Sequence, residues 1–533
     1  MEANLDRRAF LKGSLFAGAG LAAASMVSCA PSTDAKGGAA EGGAKGAETT
    51  EAPKEVAETL DTEILVLGAG ASGLSCAIQA ALNGSKATIL EKASVTGGNA
   101  SVCEGMFACG SDMQKAAGYT ITEREVLAHE LKFAQYCVDG QLWRDFVENS
   151  VENLNWCMDQ GVEYRGDVDY YGGDFPTNHW FKGGKGAEGF TPQMTARAQE
   201  LGVDIRLETP AYKLIVDDSG KVTGVYAKNA DGKDIQVNAK ATVIATGGWG
   251  CNEELIDKMG FDTTDWMQGG TDSHDGDGYK MALEAGAKDM MPQASLLAFN
   301  YCPALPRESF THPYNGAGGI TSGAGPVMWV NEEGKRFADE SAFHSCMNYQ
   351  VAPTRYQKAV YTVFDSKIWS DFTANVTDRD ANAELAEAVE TNSPESIWKA
   401  DTIEELAKAA GIDPDALAAS VKEYTADAES GEGDHVFGKD AQYMAPISTP
   451  PYYLARNRVC FMTNLAGVAT SRKREVYGAD GEPIPGLYAA GIDGEMRYRN
   501  VYPINCGGTT IAGFIYSGRV AANSAKDYIA SLA

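Results

Sequence analysis

The sequence predicts an α/β fold in which a Rossmann-like nucleotide-binding unit is assembled from both ends of the chain. Near the amino terminus, the apolar run 64–67 precedes a glycine-rich turn and a segment, 74–82, with helical apolar spacing. Near the carboxyl terminus, "GLYAAG" (486–491) reads as a returning strand of the same unit. Between them, residues 299–444 contain helical segments of their own, such as 402–424, and are predicted to form an inserted α+β domain. A chain of 533 residues with 44% hydrophobic content can bury the cores of two or three domains.

The glycine-rich turn has the residue types that a bound dinucleotide requires. Gly68, Gly70 and Gly73 supply the turn and the close approach of the backbone to a pyrophosphate. A second strand, 87–90, ends at Glu91, where a carboxylate can accept hydrogen bonds from both ribose hydroxyls. Because the glycines have a strand before them and a helix after them, they predict a dinucleotide site.

The segment "EKASVTGGNASVCEGM" (91–106) decides between NAD and FAD. Gly97 and Gly98 allow backbone contact with the cofactor, and residues 99–101 can reach its phosphate or isoalloxazine. At this segment the sequence resembles the FAD-dependent family of soluble flavocytochrome fumarate reductases, urocanate reductases and 3-ketosteroid 1-dehydrogenases. The resemblance covers residues 61–533 and implies that the cofactor is FAD.

Further motifs carry the same resemblance in the same order along the chain. They are "ATVIATGGWG" (241–250), "GDGYKMALEAGA" (276–287), "VNEEGKRFADES" (330–341), "GLYAAGIDGE" (486–495) and "CGGTTIAGFIYSGRVAA" (506–522). Together with the glycine-rich turn, the residue-by-residue match gives the predicted FAD contacts. These are Gly68, Gly70, Ser72, Gly73, Glu91, Lys92, Gly98, Asn99, Ala100, Ser101, Glu104, Gly105, Asp277, Gly491, Thr510 and Ile511.

Three local features refine this interpretation. Where fumarate reductases have a glutamate after "YAAG", this chain has Ile492 and then Asp493, so that contact to the flavin is not expected to be the same. The segment 506–513 is predicted to open a helix whose amides face the flavin's pyrimidine edge, where reduction adds negative charge. Residues 209–248 alternate apolar and polar side chains across two turns and are predicted to form a β-meander.

The first 59 residues are predicted to lie outside the folded domains. Arg7 and Arg8 precede an apolar run too short and too rich in Gly and Ala to span a membrane, which indicates a twin-arginine export signal. "SMVSC" offers Cys29 as a lipid attachment site, with cleavage without lipid as the alternative. The predicted organisation is a signal at 1–29, a flexible linker at 30–59, an FAD-binding domain at 60–298 and 445–533, and an inserted domain at 299–444. The family resemblance implies that this inserted domain is a capping domain.

Composition excludes several kinds of partner. The formal net charge of −28 argues against nucleic acid, which requires a basic surface. The eleven cysteines form no Cys-x-x-Cys pair, so no zinc or other metal site is predicted. Because no Cys-x-x-Cys-His is present either, the chain carries no c-type haem, and electrons are expected from a separate membrane or haem protein.

His344 is the predicted general acid. In fumarate reductases, an arginine shortly after "GKRF" donates the proton, and counting from residues 334–337 places His344 at that position. An imidazole, with an ordinary pKa near 6.5, suits proton transfer at neutral pH; the alternative is a structural histidine. The Glu/Arg relay of fumarate reductases is absent from 318–323, so protons would pass through Ser345, Tyr349 or water.

The residues that hold fumarate are also absent. Asn505 stands where the family has its substrate arginine, and Thr463 replaces a substrate histidine, so fumarate is not the expected substrate. Tyr502 precedes a proline, as does the tyrosine that binds the 3-keto oxygen in ketosteroid dehydrogenases, and could polarise a carbonyl. Packing is the alternative role for Tyr502. Arg497 and Arg499 could grip a carboxylate, although exposed arginines usually do not.

The sequence therefore predicts an exported FAD enzyme that reduces a C=C bond conjugated to a carbonyl or carboxylate of a small molecule. Flavin N5 supplies hydride and His344 the proton. The predicted catalytic residues are His344, Tyr502, Asn505 and Arg499. Two alternatives remain open: dehydrogenation of a 3-ketosteroid-like compound, and a flavoprotein that transfers electrons without catalysing a reaction.

Overall fold

A computed structural model describes most of the chain after the amino-terminal segment. It covers residues 51–532 except 172, 262, 264–265, 306–316, 324, 345–350, 352, 375, 377–378, 393–394, 499–501 and 503–504. The predicted export signal, Cys29 and most of the predicted linker therefore lie outside the described residues. The first strand begins at Glu58, inside the predicted linker, because its outer residues extend the pairing with a neighbouring strand.

The strands and helices alternate along much of the chain. In chain order the strands are β1 (Glu58–Leu67), β2 (Ala87–Leu90), β3 (Gly105–Phe107), β4 (Tyr164–Asp169), β5 (Asn178–Phe181), β6 (Asp204–Arg206), β7 (Ala211–Val216), β8 (Val222–Lys228), β9 (Asp234–Ile244), β10 (Trp266–Gln268), β11 (Ser295–Tyr301), β12 (Met328–Asn331), β13 (Val360–Asp365), β14 (Ile397–Ala400), β15 (Tyr452–Leu465), β16 (Glu475–Tyr477) and β17 (Pro483–Ala489). The α-helices are α1 (Ala71–Leu82), α2 (Asp112–Ala116), α3 (Glu123–Phe133), α4 (Gly140–Glu148), α5 (Ser150–Asp159), α6 (Gly186–Gly189), α7 (Thr191–Glu200), α8 (Glu253–Lys258), α9 (Asp277–Glu284), α10 (Ser366–Phe372), α11 (Ala381–Thr391), α12 (Ile403–Ala410), α13 (Pro414–Ser430) and α14 (Thr509–Ser531).

The first sheet joins the two ends of the chain, as predicted. Its strand order is β16-β17-β9-β1-β2-β6, and β1 runs parallel to both β2 and β9. β17 comes from near the carboxyl terminus and pairs in parallel with β9. Residues 64–67 form a continuous buried apolar run, as strands covered on both faces do. The predicted β-meander is confirmed, since β7, β8 and β9 pair antiparallel in sequence order.

Helices α1 and α14 pack against each other beside this sheet. Both present small residues at the contact, and Gly518 of α14 allows the backbones to approach closely. A Cβ at Gly518 would lie 2.1 Å from the backbone oxygen of Ser72. The C-terminal helix predicted to open at 506–513 therefore begins at Thr509 and is held against the first helix of the nucleotide-binding unit.

The second sheet has its own core and corresponds to the predicted α+β insertion. β15 pairs with β10, β11, β13 and β14, and β12 pairs with β13. Trp329, Phe364 and Leu406 are among the fully buried side chains that join these strands to the neighbouring helices. The sheet extends past 299–444 on both sides, because β10, β11 and β15 begin or lie outside that range. The domain limits themselves stay a prediction.

A small third sheet packs against the C-terminal helix α14. Its order is β3-β5-β4. The backbone amide of Phe107 in β3 donates to the carbonyl of Gly508, 3.0 Å away, which ties the sheet to the turn before α14. No helix in the described part of the chain has the length and apolarity that a membrane crossing requires.

Replacing Gly518 with alanine is expected to destabilise the protein. The added Cβ has no room against Ser72, and overpacking of this kind costs about 1–3 kcal/mol. Denaturant unfolding measures the change. Gly140→Ala is the matched control, since its Cβ would make only ordinary contacts, 3.6 Å from Leu131. Equal stability of the two variants would contradict the close packing of α1 and α14.

Candidate active site

A cavity of about 490 Å³ opens where the parallel strands of the first sheet end. Residues that directly follow β1, β2 and β9 line it, together with Ile492 in the loop after β17, as expected for ligands in parallel α/β sheets. Residues of β11 and β15 line it from the second sheet. The cavity therefore lies between the two sheets, and both contribute to its wall.

The turn between β1 and α1 is built around glycines that no other residue could replace without distortion. Gly68 has a φ of 104°, and a Cβ there would lie 2.3 Å from the carbonyl oxygen of Ala245. A Cβ at Gly73 would lie 1.9 Å from the carbonyl oxygen of Gly68. Gly73 itself does not line the cavity; it lets α1 begin close behind the turn, so that Gly68, Gly70 and Ser72 can line it.

The acid after β2 is held rigidly at the cavity edge. One carboxylate oxygen of Glu91 accepts from the amide of Ala69 at 2.7 Å, and the other accepts from the amide of Ala93 at 2.8 Å. Glu91 also lines the cavity. Two amide donors from separate turns fix its orientation toward a ligand hydroxyl.

Lys92 and Asp277, which the sequence predicts separately, are brought together as an ion pair. The Lys92 ammonium lies 3.0 Å from Asp277 at the start of α9 and makes a second, shorter contact with Asp275. Burial and the neighbouring Asp275 raise the pKa of Asp277. Nothing in the spacing of these residues indicated that Asp275 shares the lysine.

His274 is a cavity residue that the sequence analysis missed. The Asn99 side-chain oxygen accepts from the amide of Thr271 at 2.9 Å, which turns its NH2 group toward His274 Nδ1, 3.1 Å away. Burial lowers the pKa of His274 to about 4, so the ring is neutral at physiological pH. Its position two residues before Gly276 in the "GDG" motif is the signal that could have revealed it.

The wall beside the amino terminus of α14 contains buried polar atoms that lack partners. Glu104 Oε1 and Asn178 Nδ2 have no hydrogen-bond partner among the described residues, although both residues line the cavity. Such atoms cost free energy unless a ligand satisfies them. Gly507 and Gly508 bring the backbone before α14 to the same wall. This wall is therefore suited to the polar edge of a bound ring.

Asp493 supports the cavity from behind. It is 1% exposed and accepts from the amide of Gly247 at 2.9 Å and from the hydroxyl of Thr246 at 3.1 Å. Burial raises its pKa to about 6. Asp493 itself is not among the described lining residues, whereas its neighbour Ile492 is. The side chain after "YAAG" thus positions the loop that follows β9.

Comparison with known proteins identifies the family and its cofactor. The family model described as FAD binding domain matches residues 63–508. The chain belongs to this FAD-binding family. A vinyl phenol reductase of Lactiplantibacillus plantarum is 31% identical over 488 residues, which cover 87% of this chain and 96% of that protein. A digoxin reductase of Eggerthella lenta is 27% identical over 550 residues, covering 95% of this chain and 94% of that protein.

A solved structure of the open conformation of a flavocytochrome c3 fumarate reductase has the same fold. It superimposes with a TM-score of 0.68 at 25% identity and covers 89% of this chain and 79% of that one. The chain is thus an FAD-dependent oxidoreductase of a family that acts on C=C bonds, and FAD is its cofactor. The glycine cradle, the fixed Glu91 and the unpaired atoms of Glu104 and Asn178 fit this cofactor.

The structure brings most of the predicted FAD contacts to one cavity. The residues that line it are Gly68, Gly70, Ser72, Glu91, Lys92, Gly98, Asn99, Ala100, Ser101, Glu104, Gly105, Asp277, Thr510 and Ile511. Gly73 and Gly491 do not line it. A Cβ at Gly491 would lie 2.5 Å from the Ser72 hydroxyl, so this glycine lets the β17 loop approach α1. The direct contacts with FAD stay predictions.

The predicted catalytic residues are not all together. Tyr502 lines the cavity, and its hydroxyl lies 3.0 Å from that of Thr510. Asn505 is buried beside the cavity lining, with its side-chain nitrogen unpaired among the described residues. His344 ends a 3-10 turn and stacks on Tyr443 with ring centroids 4.5 Å apart; it is not among the described lining residues. Arg499 lies outside the described residues.

The suggestion that Arg497 grips a substrate carboxylate is wrong. Arg497 is 1% exposed, pairs with Glu495 at 2.7 Å and donates to the carbonyl of Thr509 at 3.0 Å. Its guanidinium also packs against Gly513, where a Cβ would lie 2.0 Å from it. The spacing of arginines in the sequence could not reveal that this one supports the start of α14.

Replacing Glu91 with alanine is expected to weaken FAD binding about tenfold or more. The substitution removes an acceptor that fixes two turns and is predicted to contact the cofactor. Hydrogen bonds to charged groups contribute about 1.5–3 kcal/mol each. Flavin absorbance after gel filtration, together with an FAD titration, measures the loss. Glu63→Ala is the control, because Glu63 pairs with Lys240 away from the cavity. Full flavin occupancy in Glu91→Ala after dialysis would contradict the role of Glu91.

Proposed function

We propose that this enzyme reduces the C=C bond of a small, uncharged alkene conjugated to a carbonyl or an aromatic ring. The observation that carries the proposal is the chemistry of the cavity wall formed by the second sheet. The described residues that line the cavity from this side are Leu297, Phe299, Tyr301, Cys460, Met462 and Thr463 of the sheet, and Gly319 and Ser322 of the 3-10 turn Ala317–Ser322. None of these described side chains is charged.

An uncharged wall favours an uncharged substrate. A dicarboxylate would lose its hydration on entering the cavity, and a buried charge without a partner is costly. Phenyl, hydroxyl and thioether groups instead suit a ring or an enone, with a few polar groups to orient it. The similarity to a vinyl phenol reductase supports the same substrate class, since a vinyl phenol carries no carboxylate.

The side chains of the cavity have distinct proposed roles. Bound FAD supplies hydride to one alkene carbon after it has been reduced by a donor. Tyr502, whose hydroxyl is paired with Thr510, is proposed to orient a carbonyl or phenolic oxygen of the substrate. Burial raises its pKa to about 12, so it stays a neutral donor at physiological pH. Asn505 is proposed as a further substrate contact, and the predicted role of Arg499, which lies outside the described residues, stays a prediction.

His344 is proposed to give the proton to the second alkene carbon. His344 is not among the described lining residues, so this role requires His344 to approach the cavity. The fumarate reductase of similar fold was described in an open conformation. Burial, followed by the nearby charge of Lys439, lowers the pKa of His344 below 6.5. A lowered pKa makes the imidazolium a stronger acid but reduces its population at neutral pH.

Export and the electron donor complete the proposal. The twin-arginine motif supports export, with a lipid anchor at Cys29 as one form of the mature protein. The absence of Cys-x-x-Cys-His from the 533 residues supports a separate membrane or haem protein as donor.

A panel of alkenes tests the proposed substrate class. FAD in the full folded enzyme is reduced anaerobically, and its reoxidation is followed after mixing with 4-vinylphenol, a cyclic enone, a hydroxycinnamate, urocanate or fumarate. We expect an uncharged alkene to react at least about tenfold faster than fumarate, which corresponds to about 1.4 kcal/mol of discrimination.

The other outcomes distinguish the alternatives. Fumarate, urocanate or the hydroxycinnamate as the fastest oxidant would contradict the proposal, because each carries a carboxylate. No reaction with the panel, together with bleaching of the oxidised flavin by a saturated 3-ketosteroid, would favour the dehydrogenase. No reaction with either, together with rapid electron transfer to a haem protein, would favour a flavoprotein that does not catalyse a reaction on a small molecule.

His344→Ala is expected to lower turnover at least about tenfold while FAD stays bound, since a general acid contributes at least about 100-fold in most enzymes. Because the donor must be protonated and its pKa is lowered, turnover of the natural enzyme should rise as the pH falls from 7. The variant should lose this rise. His435→Ala, at an exposed histidine outside the cavity, is the control. Unchanged turnover and pH profile in His344→Ala would rule out its role.

A further inference from the structure

Glu104 is an acidic residue in the cavity wall that has no role in the proposed reaction. It directly precedes β3 and lines the cavity beside Gly105. One carboxyl oxygen accepts a short hydrogen bond from the hydroxyl of Tyr171. The other, Oε1, is buried without a partner among the described residues. Glu104 thus has one fixed oxygen and one that only a ligand, water or a proton can satisfy.

The conformation of Tyr171 is imposed by its contacts with neighbouring residues and is not one that its backbone would favour. Its φ of 47° lies in the left-handed region, which is unfavourable for a residue with a bulky side chain. Its amide donates to Asp169 at 3.0 Å, and its ring contacts that of Trp180 with centroids 5.6 Å apart. A Cβ at Gly507 would lie 2.8 Å from the Cβ of Tyr171, so the residue is also packed against the turn before α14. The tyrosine hydroxyl is therefore held at Glu104.

No described cation forms an ion pair with Glu104. The titratable groups that face it are Tyr171, Cys103 and Tyr502, and none of them is basic. Burial raises the pKa of Glu104 to about 8, while the Tyr171 hydroxyl opposes this rise. The pKa values of Cys103 and Tyr502 are each raised to about 12. Glu104 is thus the group in this cluster that changes charge near pH 8.

Reduction of FAD adds negative charge to the cavity that Glu104 lines. A carboxylate in the same low-dielectric space is then repelled, whereas a neutral carboxylic acid is not. The free energy of reduction is therefore linked to the protonation of this side chain.

We propose that Glu104, held by Tyr171, is a redox-linked proton site that takes up a proton from solvent when FAD is reduced. In oxidised protein above pH 8 the carboxyl is ionised, and two electrons from the donor enter together with one proton for the cofactor and one for Glu104. When the alkene accepts hydride and a proton, FAD returns to the oxidised form, and Glu104 releases its proton to solvent. The carboxyl forms and loses only an O–H bond, so charge and atoms balance.

The proposal rests on FAD binding and does not depend on the substrate. Failure of the alkene panel therefore leaves it intact, and its own failure leaves the alkene reduction intact. The alkene panel and the test of Glu104 both use the folded enzyme with bound FAD. They have no added compound in common.

Proton uptake during anaerobic photoreduction tests the proposal. Weakly buffered protein with a pH indicator is compared with Glu104→Gln, which has nearly the same shape but cannot ionise. Near pH 9 the natural protein should take up more protons per FAD than Glu104→Gln, by about half a proton at least, whereas near pH 6.5 the two should agree. Above pH 8, the midpoint potential of FAD should fall more steeply with pH in the natural protein than in Glu104→Gln. Equal uptake by the two proteins at both pH values overturns the proposal.

Tyr171→Phe provides a second test that does not rely on the glutamine substitution. Loss of the hydroxyl removes the donor that favours the carboxylate, so the extra uptake should begin at higher pH than in the natural protein. Glu130→Gln is the matched control: Glu130 is also buried, but it is not among the described lining residues. It should retain the full uptake. The proposal would also be overturned if the extra proton uptake began at the same pH in Tyr171→Phe as in the natural protein. Loss of the extra proton in Glu130→Gln instead of Glu104→Gln would overturn it as well.

Discussion

The parallel register of four strands determines where everything else in this protein lies. Leu67 of β1 is opposite Leu90 of β2 and Ile244 of β9, and Ile244 is opposite Ala489 of β17. Because these strands end at the same level, the loops that follow them meet at one edge of the sheet. The glycine turn, Glu91, the loop at 245–248 and the loop after β17 that carries Asp493 are all consequences of that alignment.

The parts of the structure that follow local rules were predictable. The β1–α1 unit follows from an apolar run, a glycine turn and a helical segment that are adjacent in the sequence. The meander follows from the alternation of apolar and polar residues over 209–248. Both patterns depend only on residues that are close in sequence. The FAD-binding fold followed from several motifs in the right order. The start of β1 at Glu58 was not predictable, because it depends on pairing with β9, far along the chain.

The electrostatics of the site depended on contacts that spacing cannot reveal. Lys92 and Asp277 were expected to contact FAD separately. They form one ion pair, although they are 185 positions apart in the sequence. Arg497 resembled a substrate ligand but is enclosed by Glu495 and the start of α14. His274 and the pairing of Tyr171 with Glu104 also arise from tertiary contacts. Sequence reasoning could select the cavity residues but not their protonation.

β15 connects regions of the protein that otherwise have separate cores. Residues near its start, such as Leu454, pair with β13 and β14 inside the second core, whereas Cys460, Met462 and Thr463 line the FAD cavity. A continuous strand of this length is stiff along its axis, so its two ends cannot shift independently. Substitutions in the second core, well away from any bound molecule, should therefore alter substrate preference by changing the depth of the cavity. Selection for new substrates in this enzyme can therefore act on the packing around β13 as well as on the lining itself.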